Sequence, residues 1–266
     1  MPTSPRYTLP PRARTIALTV AAVVFVGATV FACAESIAPD DSGTFFGPVT
    51  VMASGTGRAY VTLDRAGIPT ELGLAITEAS LTGLPVGAAE YEFELPPQAT
   101  ATTPYRHVGV NWQPTGHQPA MIYTLPHFDV HFFMITSAER GALLLGDAQL
   151  LAKMTRMPGD AFIPTGYVTG NPTARMGMHW TDPNAPERKG ALFTKTFIYG
   201  SYDGTFIFGE PMVTKAYLET KPAADVTTIN QPAQYASTGY QPTTYTIGFD
   251  AAAKEYRIAL TGLVKR

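Results

Sequence analysis

A period of two in hydrophobicity, repeated in short segments from about residue 45 onward, constrains the fold more than any other feature of this chain. In residues 90–95 (EYEFEL), three glutamates alternate strictly with Tyr91, Phe93 and Leu95. Because successive side chains of a strand point to opposite faces, this pattern predicts a strand with one buried and one solvated face. Three pairs of strand-like segments flank turn sequences and predict hairpins: residues 58–63 with 69–76, 193–199 with 205–208, and 245–249 with 255–260.

One segment departs from this period. Residues 137–154 contain no β-branched side chain, and Ser137 and Asp147 are residue types that cap helices. We expect one or two short helices there. Many short strands, frequent turn signals and one short helical insertion predict a mainly β fold, an antiparallel sandwich or barrel.

Composition excludes several classes of protein. A single cysteine, Cys33, rules out an internal disulfide, a CxxC redox pair and a cysteine-rich zinc site. A formal net charge of -2 offers no basic surface for nucleic acid, so we expect no nucleic-acid partner.

The N-terminus has the anatomy of an export signal. Arg6, Arg12 and Arg14 precede twenty uncharged residues, 15–34, most of which are apolar. Residues 30–33 (VFAC) resemble a bacterial lipobox, although Phe31 is bulkier than the usual residue there. That resemblance implies cleavage before Cys33 and a diacylglycerol on its sulfur. The alternative is an uncleaved signal anchor, because about 20 apolar residues can span a bilayer.

Both alternatives place the rest of the chain outside the cytoplasmic membrane. The expected organisation is a lipoprotein-type signal peptide over residues 1–32, a tether over residues 33–44, and a single β-rich domain over residues 45–266. A lipid membrane is then a partner through Cys33, and the protein is anchored to the bacterial cell envelope. Nothing in the sequence excludes a homo-oligomer.

All five histidines lie between residues 107 and 179. If residues 125–135 form a strand, His127, Asp129 and His131 project from one face. Same-face neighbours two positions apart are separated by roughly 6.7 Å, but His127 and His131 by roughly 13 Å. One ion with bonds of about 2 Å can therefore take at most two ligands from this strand unless a bulge bends it.

The remaining ligands must come from elsewhere in the chain. Two or three histidines with a carboxylate suit zinc, iron or manganese. The candidate metal ligands are His117, His127, Asp129, His131, His179 and Glu210. His107, Trp112 and Trp180 are candidates for the wall of a ligand pocket. Two alternatives stay open: a metal-free pocket for a small polar ligand, and histidines with a purely structural role.

The histidine segments carry a resemblance. The motifs GHxP at residues 116–119 and PHFDxHF at residues 126–132, with further matching segments between about residues 55 and 212, resemble a bacterial family of unknown function. Its prototype is a Thermus protein controlled by an extracytoplasmic-function sigma factor. The resemblance implies an extracytoplasmic, β-rich domain and brings no assigned reaction or catalytic residue.

Common catalytic motifs are missing from the sequence, including GxSxG, GxxxxGK[ST], GxGxxG and HExxH. Three hypotheses remain. The first is an envelope protein whose histidine-lined pocket binds a divalent metal or a small polar ligand. The second is a metal-dependent enzyme that resembles cupins in its chemistry: histidine and carboxylate ligands hold the metal, and one coordination position stays open for substrate. The third is a structural or interaction domain with structural histidines.

Overall fold

The computed structural model describes residues 1–4, 42–146 and 148–266. Most of the expected signal peptide and tether, including Cys33, and the expected helix cap Asp147 lie outside the described residues. Internal contacts divide the chain into two units, Met1–Ala38 and Pro39–Arg266. The fold described below is that of the second unit.

Short strands dominate this unit. They are β1 (Gly43–Phe46), β2 (Thr50–Met52), β3 (Gly55–Leu63), β4 (Pro69–Thr77), β5 (Ala89–Glu94), β6 (His107–Gln113), β7 (His127–Phe133), β8 (Val168–Thr173), β9 (Gly177–Thr181), β10 (Lys195–Tyr202), β11 (Thr205–Thr214), β12 (Asp225–Thr228), β13 (Tyr240–Gln241), β14 (Thr244–Asp250), β15 (Glu255–Thr261) and β16 (Val264–Lys265). The helices are α1 (Pro97–Thr102), α2 (Ser137–Gly141), α3 (Ala148–Thr155) and α4 (Lys215–Glu219), with 3-10 turns at Glu78–Leu81, Asp160–Phe162 and Pro186–Lys189.

The strands form two large sheets, in which all the pairings are antiparallel. Sheet A has the order β1-β3-β4-β15-β14-β12, with β2 also paired to β3. Sheet B has the order β5-β6-β7-β11-β10-β9-β8, and β13 pairs with β16 separately. Each large sheet ends in two different strands, so neither closes into a barrel. The expected mainly β, antiparallel class is confirmed, in its open form.

The core lies between the two sheets. Val61 and Leu74 of sheet A belong to the same cluster of buried side chains as Val110, Val130 and other residues of sheet B. On the central strands alternate residues enter this cluster, as Phe128, Val130 and Phe132 of β7 do, which is the arrangement of a sandwich. The opposite face of sheet B does not contribute to this core, and it carries the candidate site.

The expected hairpins are present as β3 with β4, β10 with β11, and β14 with β15. The expected helical segment contains α2 and α3. The cap of α2 is Thr136 rather than Ser137, because the Thr136 hydroxyl accepts from the backbone N–H of Glu139 while the Glu139 carboxylate accepts from the N–H of Thr136. The structure adds α1 and α4, which are too short to show a helical period.

Among the described residues, no helix combines the length and apolar character required to cross a bilayer.

Candidate metal centre

Strand β7 supplies the middle of the site. Phe128, Val130 and Phe132 point into the core between the sheets. By the alternation of a strand, His127, Asp129 and their same-face neighbours project from the opposite face. All seven residues of β7 are buried, so this second face is covered as well.

Neighbouring strands continue the polar face. Asp129 is in register with Asn111 of β6 and with Met212 of β11. Gln113 and Glu210 lie two positions from these partners and therefore share the face of Asp129. Leu143, which follows α2, and Met154 of α3 cover the far end of the face, where they pack on Phe133 and Phe208.

His117, His127 and Asp129 form what we call the first histidine group. Their candidate ligand atoms all lie within 4.8 Å of one another. The Nε2 atom of His127 is 3.0 Å from Asp129 Oδ1, and the Nε2 atom of His117 is 3.4 Å from Asp129 Oδ2. His127 and Asp129 are almost fully buried, whereas 36% of the His117 side chain is exposed.

Backbone carbonyls orient both imidazoles of the first group. His127 Nδ1 is 2.7 Å from the Leu125 carbonyl oxygen, and His117 Nδ1 is 2.7 Å from that of Gln118. Because a carbonyl oxygen only accepts, each Nδ1 carries the hydrogen. In the neutral rings Nε2 then presents a lone pair, and it faces Asp129. This is the usual orientation of histidine ligands around a metal ion.

A tight turn positions His117. Gly116 has φ +68°, and a Cβ atom there would lie 2.1 Å from the Tyr123 carbonyl oxygen. Only glycine fits this backbone without strain. The N–H of His117 donates to the same carbonyl at 2.8 Å, and the Tyr123 ring stands edge-on to the imidazole. The glycine of the GHxP motif thus brings the loop back over β7.

The charges of the first group form a buried ion pair that a bound metal ion would replace. Burial opposes ionisation of Asp129, but His117 and His127 outweigh it and hold the pKa of Asp129 below its usual range. Burial likewise disfavours the charged form of His117, but the Asp129 carboxylate outweighs it and raises the pKa of His117 to about 9. Asp129 is therefore an anion, the form that binds a metal, whereas a metal ion at His117 must displace the proton that the ring holds at neutral pH.

His131, His179 and Glu210 form what we call the second histidine group, whose candidate ligand atoms also lie within 4.8 Å of one another. Glu210 Oε2 is 3.3 Å from His131 Nε2 and 3.8 Å from His179 Nε2. His131 and Glu210 are buried, and 22% of the His179 side chain is exposed. Burial lowers the pKa of His179, against the opposing charge of Glu210.

The structure separates the other expected site residues from these groups. His107 stacks on Phe133 with ring centroids 4.8 Å apart and belongs to neither group. Trp112 and Trp180 lie in the core between the sheets. Their indole N–H groups donate to the Pro85 carbonyl at 2.9 Å and to the Ser201 hydroxyl at 2.8 Å.

No histidine lines either of two cavities on sheet A. One, of about 190 Å³, includes Arg58 and Glu255, and the other, of about 260 Å³, includes Phe249 and Arg257. The histidine face is a packed surface with partial openings at His117 and His179.

Two residues of this face are absent from the expected set. Gln113 Nε2 donates to Asp129 Oδ2 at 3.2 Å, so it orients the carboxylate of the first group. Gln113 lies on the same face of β6 as His107, so strand alternation extended from His107 to residue 113 would have identified Gln113. Arg140 is fully buried over the Phe133 ring, 4.5 Å from its centroid, and pairs with Glu90 and Glu92. Its sequence context gives no comparable signal.

Comparison with known proteins adds one relationship. A family model described as "TTHB210-like: Hypothetical protein TTHB210" matches residues 64–112. The chain is similar to that family over this stretch. The matched residues contain β4, β5, most of β6 and His107, whereas both histidine groups lie beyond them. The family description names no activity. No curated protein and no solved structure matched the chain significantly.

Proposed function

We propose that this chain is an extracytoplasmic protein, anchored to the cell envelope through a lipid on Cys33, whose first histidine group binds a divalent metal ion. Two imidazoles and one carboxylate suit zinc, iron or manganese. Three protein ligands leave a further coordination position for water or a small polar ligand. The similarity to a family of unknown function agrees with this proposal and adds no reaction to it.

One observation carries the metal proposal. His127 Nε2 and Asp129 Oδ1 lie 3.0 Å apart, both are buried, and neither has a hydrogen-bond partner elsewhere. Since His127 Nδ1 holds one hydrogen, Nε2 faces this oxygen with a lone pair in the neutral ring and with a second hydrogen in the imidazolium. A proton or a metal ion between the two atoms removes the repulsion of two facing acceptors. A metal ion would bond to both, and His117 Nε2 would complete the set.

Metal content tests this proposal. We expect the purified full chain to retain about one equivalent of zinc, iron or manganese, to lose it to a strong chelator, and to take it up again, because the site needs no rearrangement of the strands. Elemental analysis before and after chelation measures this. Less than about 0.1 equivalent of every transition metal, with no uptake on titration, would contradict the proposal.

Lipidation is tested separately. We expect C33S to abolish labelling by a fatty-acid probe and to move the protein from the membrane to the soluble fraction, because the single cysteine supplies the only thiol. A matched control adds S36C to C33S, restoring a thiol three residues away from the lipobox position, and should stay unlabelled. Unchanged labelling of C33S would contradict the lipoprotein assignment.

A further inference from the structure

We propose that the second histidine group is a separate site for a second divalent ion, which it binds more weakly and exchanges faster than the first group does. This inference rests on the proposed function of the first group and goes beyond it, because it assigns a second site with its own ligands and a lower affinity.

Unpartnered buried atoms mark this site. Both nitrogens of His131 and the Oε2 atom of Glu210 are buried without a hydrogen-bond partner. The side chains of His131 and Glu210 are only 1% and 2% exposed, and His131 Nε2 lies 3.3 Å from Glu210 Oε2. Burying such atoms unpartnered is costly. A divalent ion between them would give the facing nitrogen and oxygen a partner.

His179 supplies the third ligand of the second histidine group and the route by which an ion reaches it from solvent. Its register partner on β10 is Gly200, and the Phe208 ring fills the space that a side chain at Gly200 would take. The Phe208 ring lies 4.8 Å from the His131 ring and 5.4 Å from the His179 ring, so one aromatic side chain supports both imidazoles. Because the His179 side chain is 22% exposed, an ion can reach this group from solvent.

The two groups have separate ligands. They share no residue, and each has its own carboxylate. Asp129 and His131 are two positions apart on β7, roughly 6.7 Å along a regular strand. The same spacing joins His127 to Asp129 in the first group, so it is the pairing of His131 with Glu210 at 3.3 Å that separates the two groups.

Orientation of the ligands makes the affinities unequal. Both imidazoles of the first group donate Nδ1–H to backbone carbonyls, and Gln113 holds Asp129. His131 has no hydrogen bond at either nitrogen. Loss of such supporting hydrogen bonds lowers metal affinity by about 10- to 100-fold. We expect a difference of that size between the two groups.

Zinc binding to the chelator-treated full chain tests the inference. We expect two equivalents of bound zinc per chain in equilibrium dialysis at excess zinc. Gel filtration should then remove the weakly held zinc and leave one equivalent. E210Q should lose the weakly held equivalent, with affinity at that site lower by about 100-fold, and keep the tightly held one. H179A should do the same, and its partly exposed position keeps the fold intact. H107N, which changes a buried histidine outside both groups, is the matched control and should keep both equivalents.

The outcomes separate the two proposals. A single tight equivalent in the unmodified chain overturns the second site and leaves the first standing. Two equivalents in folded E210Q and H179A also overturn it, as does loss of both equivalents in folded H179A, which would indicate one shared site. Absence of any tight equivalent overturns the proposed function, and the inference with it.

Discussion

D129N is expected to lose the tightly held ion and the stability that the ion confers. Asp129 is the only carboxylate of the first histidine group and lies within 3.4 Å of both Nε2 atoms. Asparagine keeps the shape of the side chain but removes the negative charge and one of the two oxygens. We expect zinc affinity at this group to fall by about 100-fold or more, since even loss of a supporting hydrogen bond costs 10- to 100-fold.

The stability change follows from mass action. An ion present at about 1,000 times its Kd stabilises a folded protein by about 4 kcal/mol. For a domain of this size that corresponds to a rise in Tm of about 10 °C. Thermal unfolding with and without zinc should show this shift in the unmodified chain and little of it in D129N.

A carboxylate outside both groups provides the control for D129N. Asp182 accepts hydrogen bonds from the Asn184 N–H and the Asn230 side chain. D182N removes the same charge without touching the histidines and should keep the full zinc-dependent shift. The role of Asp129 as a ligand would be refuted by folded D129N that retains zinc after gel filtration and shows an unchanged shift.

R140A is expected to destabilise the fold by about 3 kcal/mol, at the lower end of the cost of breaking a buried ion pair. The Arg140 side chain is completely buried. Its Nη1 donates to Glu90 at 2.7 Å and to Glu92 at 3.4 Å, and its guanidinium lies over Phe133. Alanine removes these contacts and leaves a cavity against the ring. The lower end applies because about a third of each glutamate side chain is exposed and stays hydrated.

Urea denaturation measures this change, with R175A as the control. Arg175 makes two hydrogen bonds of 2.9 Å to Glu90, but its side chain is 42% exposed. Exposed pairs contribute about 1 kcal/mol or less, so R175A should stay near the unmodified chain. Equal free energies of unfolding for R140A and R175A would show that burial of Arg140 does not determine its contribution.

Local patterns predicted much of the fold. The alternation in residues 90–95 appears as β5, with Phe93 in the core and Glu90 and Glu92 on the other face. The strand expected within residues 125–135 appears as β7, which is shorter at both ends. These expectations depend only on the geometry of one strand, which its own sequence encodes. The sequence pattern does not predict helix α1, because six residues are too few to show a helical period.

The candidate site was less accessible to sequence reasoning. Strand spacing implied that His127 and His131 cannot share an ion, and the structure puts them in different groups. Sequence did not reveal that Glu210 joins His131 while His117 joins His127. Those partnerships require β11 to lie beside β7 and the loop after β6 to fold back over it.

By itself, the sequence determined the strand period, the turns between strands, and which side chains of β7 share a face, because those properties arise from neighbouring residues. The tertiary structure decided that six candidate ligands form two groups of three, that Trp112 and Trp180 lie in the core, and that Arg140 covers the far end of the site. The physical reason is strand order. Pairing between distant segments depends on many weak contacts across the whole sandwich, and no single segment encodes it.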